Sequence, residues 1–167
     1  VQPELCLGWY SQYVRLFKRL SSGCTPLVLD LFCGAGGSTE GVRRAGAVSV
    51  GVDSVAQPNY TARYGGQWFV LGDAVDAAAL RTLVRKHRPI GVIASPPCES
   101  YSTATFAGAP SQAPRLIALV RELLGELDLP FIIENVMGAS SEMLSHAIVL
   151  RGQQFGLQTS RPRFFEP

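Results

Sequence analysis

The stretch LVLDLFCGAGG (Leu27 to Gly37) constrains the fold more than any other part of this chain of 167 residues. An apolar, partly branched run enters a turn that has three glycines in four residues. STEGVRRAG then reads as a helix, with Ser38 or Thr39 near its start and Gly46 just past its end. A strand that passes through a glycine turn into a helix opens an alternating α/β architecture.

The alternation continues. VSVGVD (Val48 to Asp53) is a strand and FVLGD (Phe69 to Asp73) a short one. DAAALRTLVRKH (Asp76 to His87) is an amphipathic helix closed by Pro89. GVIA (Gly91 to Ala94) is a strand, PRLIALVRELLGEL (Pro114 to Leu127) a helix, and FIIENV (Phe131 to Val136) a strand. HAIVL (His146 to Leu150) is a last strand before an irregular basic tail. Buried apolar strands between amphipathic helices imply a mostly parallel sheet with helices on both faces. Before this unit, Trp9, Tyr10, Tyr13, Val14, Leu16, Phe17 and Leu20 recur at helical spacing, and SSGCTP breaks that helix. The expected division is an N-terminal helix and linker over 1–26 and one catalytic unit over 27–167.

Bulk properties exclude several classes. With 47% hydrophobic and 17% charged residues, the chain can bury a core and does not read as disordered. No apolar run approaches the roughly 18 residues of a membrane span. Cys6, Cys24, Cys33 and Cys98 form no C-x-x-C pair, which argues against zinc and gives no disulfide framework. A reduced, intracellular setting follows. A net charge of +2 does not by itself indicate nucleic acid, although only Lys18 and Lys86 among the fifteen basic residues are not arginine.

Ligands of such sheets bind beyond the carboxyl ends of the strands. Asp30, Asp53, Asp73, Cys98 and Glu134 all fall at or just past predicted strand ends. The turn lacks a full G-x-G-x-x-G pattern, because Thr39 stands where the third glycine belongs. That weakens a pyrophosphate reading. Asp53 is placed to accept from ribose hydroxyls and Asp73 from an adenine amino group, or each is a turn aspartate. Glycines without a phosphate pattern suit S-adenosylmethionine, which carries adenosine and a sulfonium but no phosphate. Cys98, in ASPPCESYS, reads either as a packed thiol ending a strand or as a nucleophile.

DLFCGAGG, SPPCESYS, ENV and RPRFF occur here in the order of the cytosine-C5 DNA methyltransferases, and the chain resembles that family from Leu27 to Phe165. It is most similar to the small phage- and virus-type members, with SPPC-x-x-YS, IENV-x-GA and FGL-x-x-x-R-x-R-x-F. The resemblance implies a Rossmann-like methyltransferase fold with S-adenosyl-L-methionine as cofactor. It implies methyl transfer to C5 of a cytosine flipped out of DNA, inside a host's cytoplasm or nucleus and from a phage- or virus-type gene. The cofactor would lie along Asp30, Phe32, Cys33, Gly34, Ala35, Gly36 and Gly37, with Asp53, Asp73 and Pro96. Cys98 matches the nucleophile that adds to cytosine C6, Glu134 the glutamate that holds N3, and Arg161 and Arg163 the paired arginines beside the base. Asn135 organises the local backbone.

Glu99 stands where the family commonly has glutamine, and Thr159 replaces the glutamine of its Q-x-R-x-R motif. Larger members continue into a target-recognition region and a closing helix, so a second chain or a C-terminal segment is expected to supply target recognition. The same chemistry on RNA or another pyrimidine, and a cofactor- or DNA-binding subunit without catalysis, are the alternatives.

Overall fold

The computed structural model describes residues 25–101 and 113–167. The expected helix from Trp9 to Leu20 lies outside them. Seven strands are β1 (Leu27–Leu31), β2 (Val48–Asp53), β3 (Phe69–Leu71), β4 (Gly91–Ala94), β5 (Phe131–Val136), β6 (Ile148–Leu150) and β7 (Arg163–Glu166). They form one sheet in the order β3-β2-β1-β4-β5-β7-β6. The first five pair in parallel, while β7 lies antiparallel between β5 and β6.

The helices are α1 (Gly37–Arg44), α2 (Pro58–Tyr64), α3 (Ala77–His87) and α4 (Ile117–Gly125). Strand periodicity divides them between two faces. Leu29, Leu31, Val50, Val52, Val92, Ala94 and Ile133 join Leu80 of α3 and Ile117, Val120 and Leu124 of α4 in the main core. The intervening residues point the other way, where Asp30 meets Thr39 of α1 and Gly51 meets Tyr60 of α2. The fold is the expected Rossmann-like α/β sheet with helices on both faces. No helix among the described residues is long and apolar enough to cross a membrane.

Several boundaries differ from the sequence pattern. The Asp76 carboxylate accepts from the backbone of Ala78 and Ala79, so it caps α3 instead of joining it. The helix expected over Pro114 to Leu127 is shorter at both ends, spanning Ile117–Gly125. HAIVL keeps only Ile148–Leu150 as strand. α2 was not foreseen, since PNYTARY carries little apolar periodicity. The tail is not irregular: RFFE is β7, and its strand conformation comes from partners on both sides.

This order fixes where a ligand binds. β1 sends its chain to β2 on one side, whereas its other neighbour is β4. Connections therefore diverge between β1 and β4, and the crevice at such a switch point opens above their carboxyl ends. The glycine turn leaves β1 at that point, and the Cys98 turn leaves β4 there.

Candidate functional site

The turn after β1 takes left-handed backbone at Phe32 (φ 59°), Gly34 (φ 48°) and Gly36 (φ 90°). Such a conformation costs glycine little but is unfavourable for phenylalanine, so the turn is held from outside. Two bonds hold it: Cys33 N–H donates to the Val52 carbonyl at 3.1 Å, and Gly34 N–H to Asp53 Oδ2 at 2.9 Å. The glycines do different work. A Cβ at Gly36 would stand 2.4 Å from the Tyr64 ring, so Gly36 serves packing. A Cβ at Gly34 or Gly37 would meet nothing within 4 Å, and Ala35 is exposed, so this rim is open to a ligand.

Asp53 also accepts from Val55 N–H through Oδ1 at 3.0 Å. It is thus both a turn residue and a brace for the glycine loop, standing half-buried at the end of β2. Asp73 is exposed and accepts from Val75 N–H at 3.0 Å.

Three of the residues expected along the cofactor are buried beneath the turns. Asp30 is 0% exposed, its Oδ2 accepts from Thr39 Oγ1 at 2.7 Å, and its Oδ1 has no partner. Thr39, read as near a helix start, points inward and also bonds the Tyr60 hydroxyl at 3.1 Å. Burial pushes the Asp30 carboxyl up to about 6, against the Thr39 hydrogen bonds. Cys33 is buried beside Gly51, and burial together with the charges of Asp30 and Asp53 pushes its thiol up to about 12. Pro96 is buried too, and its carbonyl accepts from Asn135 Nδ2 at 3.0 Å.

On the β4 side, Cys98 is a free, half-buried thiol and Glu99 is exposed. Glu134, the next residue after Ile133 in register with Ala94, stands on the neighbouring strand. The Asn135 bond to Pro96 ties the two segments together, and Asn135 Oδ1 accepts from Val136 N–H at 2.9 Å. Glu134 meets an arginine of β7. Arg163 Nε lies 3.1 Å from Glu134 Oε1. Burial raises the Glu134 carboxyl above its ordinary value, opposed by Arg163, a hydrogen bond from Ser95 and the more distant Arg161. Arg161 itself is exposed, at a φ of 30°. Arg163 therefore serves the glutamate directly.

The anchor of the Cys98 turn lies in residues that a reading of strand ends passes over. Tyr101 N–H donates to the Cys98 carbonyl at 2.9 Å, closing the turn. The Tyr101 ring is buried, and its hydroxyl donates to Glu142 Oε2 at 2.7 Å. Arg115 bonds Glu142 Oε1 at 3.2 Å and lies over the Tyr101 ring at 5.1 Å. The Tyr101 carbonyl packs against Gly138, where a Cβ would come within 1.8 Å of its oxygen. The tyrosine of SPPCESY and the glycine of IENVMGA are the signals that point to this contact.

The model of the family described as C-5 cytosine-specific DNA methylase matches residues 27–156. No curated protein matches the chain significantly. Among solved structures, the Dnmt2 methyltransferase of S. pombe is 19% identical with a TM-score of 0.60, over 85% of this chain and 48% of that one. A DNMT2 variant from Spodoptera frugiperda is 17% identical with a TM-score of 0.62, over 84% and 49%. At that identity the likeness concerns the fold. The chain spans about half the length of these two proteins.

Proposed function

We infer that this chain, which belongs to the C-5 cytosine-specific DNA methylase family, transfers a methyl group to C5 of cytosine in DNA with its residues 27–167 as the catalytic unit. The observation that carries this reading is that two groups stand on neighbouring segments of one edge. A free thiol, Cys98, lies in the turn after β4, a burial-raised carboxyl, Glu134, lies on the adjacent β5, and the Asn135–Pro96 hydrogen bond joins the two segments.

The crevice suits S-adenosylmethionine. Gly34 and Gly37 leave room for close approach, Asp53 stands at the adjacent strand end, and Asp30 offers a buried oxygen without a partner beneath the turn. When bound, this cofactor supplies an electrophilic methyl group on a sulfonium. Gly34, Ala35 and Gly37 would hold it by backbone approach, with Asp53 and Asp73 for its ribose and adenine, while Asp30 adds negative charge under the loop.

Cytosine C5 is a weak nucleophile until electron density is pushed into the ring. The Cys98 thiolate adds to C6, forming an S–C6 bond, and the displaced electron pair makes the ring an enamine. Glu134, whose proton affinity burial raises above the ordinary carboxyl value, donates a proton to N3 as charge develops there. Arg163 holds that carboxyl in place and limits how far its pKa rises. After C5 takes the methyl group, its proton passes to a base from solvent. The C5–H electron pair re-forms the C5–C6 double bond as the S–C6 bond breaks to free the Cys98 thiolate, and N3 returns its proton to Glu134. A base stacked inside a duplex cannot reach the half-buried Cys98 thiol, so the target must be extruded. Arg161, exposed at the same edge, is placed for the base or its phosphate.

The test is product formation. Wild-type protein with S-adenosylmethionine and a cytosine-rich duplex should yield 5-methylcytosine, and Cys98→Ser should yield none. Methylation of an RNA hairpin in place of DNA would overturn the assigned substrate, and no product on either polymer would overturn the enzymatic reading.

A further inference from the structure

The connection from β6 to β7, residues 151–162, rises from the carboxyl edge of the sheet. Leu150 and Val136 both pair with Arg163, so this segment stands beside the end of β5 and its Glu134. It is closely braced. Gly152 N–H donates to the Ser160 carbonyl at 2.7 Å, Arg151 N–H to Gln154 Oε1 at 2.7 Å, and Leu157 N–H to the Gly152 carbonyl at 3.1 Å. A Cβ at Gly152 would come within 2.5 Å of the Thr159 carbonyl, so glycine lets the two arms close.

On this frame Phe155 is 67% exposed and Leu157 56% exposed, with Met137 exposed at the neighbouring end of β5. Apolar side chains held in water by a braced loop gain nothing for folding, and such patches mark contact surfaces. The charge of the segment is one-sided. From Met143 to Phe165 the chain carries Arg151, Arg161 and Arg163 and no carboxylate, although the whole chain has a net charge of only +2.

We propose that this connection is the surface that grips duplex DNA around the target cytosine, with Phe155 packed against a base that extrusion leaves unstacked and Arg151 on a backbone phosphate. The proposal rests on the cytosine chemistry inferred above and names the element that binds its substrate. Extruding a base exposes the faces of its neighbours, and an apolar or aromatic side chain restores the lost stacking. The exposed Arg151 and Arg161 match a polyanion, and the surface is continuous with the edge that holds Glu134.

The test is duplex binding by fluorescence anisotropy with S-adenosylhomocysteine present, across a salt series. Phe155→Ala should weaken binding about tenfold, the scale of one lost base–aromatic contact. Arg151→Ala should reduce the salt slope by about 0.9, the share of one phosphate. Arg85→Ala, an exposed arginine on α3, should change neither. All four proteins should keep the same unfolding temperature and cofactor affinity, since the substituted side chains are exposed. Affinity and slope unchanged in both variants would overturn the proposal, as would the same dependence seen only with an RNA hairpin. Assaying 5-methylcytosine separately distinguishes the two claims. Binding that depends on Phe155 in a protein that never methylates supports the surface and sinks the chemistry; methylation with binding indifferent to both residues does the reverse.

Discussion

Arg163 and Glu134 meet across the antiparallel pair of β5 and β7, with Nε 3.1 Å from Oε1. The two influences on this carboxyl oppose each other. Burial raises its pKa while the guanidinium lowers it, and the net shift is upward. Removing the cation should therefore raise it further. In Arg163→Ala the high-pH limb of the methylation profile should move to higher pH, because Glu134 stays protonated longer. A limb that stays in place or moves down would show that Arg163 does not act through Glu134.

Glu134→Gln removes the proton that the carboxyl would give to N3 but keeps its shape. Transfer should slow by about a hundredfold or more, the usual range for a positioned general acid. S-adenosylhomocysteine affinity, measured by calorimetry, should not change. Unaltered turnover would take Glu134 out of the mechanism.

Tyr101 and Gly138 hold the Cys98 turn without touching a reacting atom. Gly138→Ala would place a methyl group 1.8 Å from the Tyr101 carbonyl oxygen, so the turn must shift. Methyl transfer should fall at least tenfold with cofactor affinity intact, as expected when a small displacement spoils an attack geometry. Tyr101→Phe, which loses only the bond to Glu142, should cost about 2 kcal/mol of stability, the scale of a hydrogen bond to a charged group. Normal turnover in Gly138→Ala would mean that the turn finds its position without this contact.

Asp30 makes stability depend on pH. Its carboxyl is raised from 3.8 to about 6 in the folded chain, so its contribution is fully present below 3.8 and is lost as pH rises through about 6. Above that, the buried charge costs about 3 kcal/mol. Asp30→Asn keeps an acceptor for Thr39 without the charge. It should unfold at a higher temperature than wild type at pH 8, with the difference closing near pH 4, while S-adenosylhomocysteine binds several-fold more weakly. A stability difference that ignores pH would contradict the assignment.

Local pattern carried much of this molecule. β2, β4 and β5 match the apolar runs VSVGVD, GVIA and FIIENV residue for residue, because buried parallel strands write continuous apolar sequence. Cys98 and Glu134 were visible as polar side chains near strand ends, and the Asn135–Pro96 hydrogen bond joins the segments that carry them. What escaped was decided by residues far away in the chain. RPRFFEP becomes a strand only through its pairing with β5 and β6. Tyr101 is anchored by Glu142, 41 residues on, and the buried Glu166 is met by Arg121 of α4 and by Leu144 N–H. Asp30 and Asp53 looked alike as aspartates near strand ends, yet one faces the interior beneath α1 and the other braces the glycine turn.

The proposed chemistry turns on a covalent bond between Cys98 and the target base. An oligonucleotide duplex bearing 5-fluorocytosine, incubated with the protein and S-adenosylmethionine, lacks the C5 proton that must leave before the S–C6 bond can break. Intact-mass and peptide mapping should find a stable protein–DNA adduct on the peptide that contains Cys98, and Cys98→Ser should form none. A wild-type protein that binds cofactor and duplex yet never forms that adduct, or one that forms it through another residue, would contradict the account.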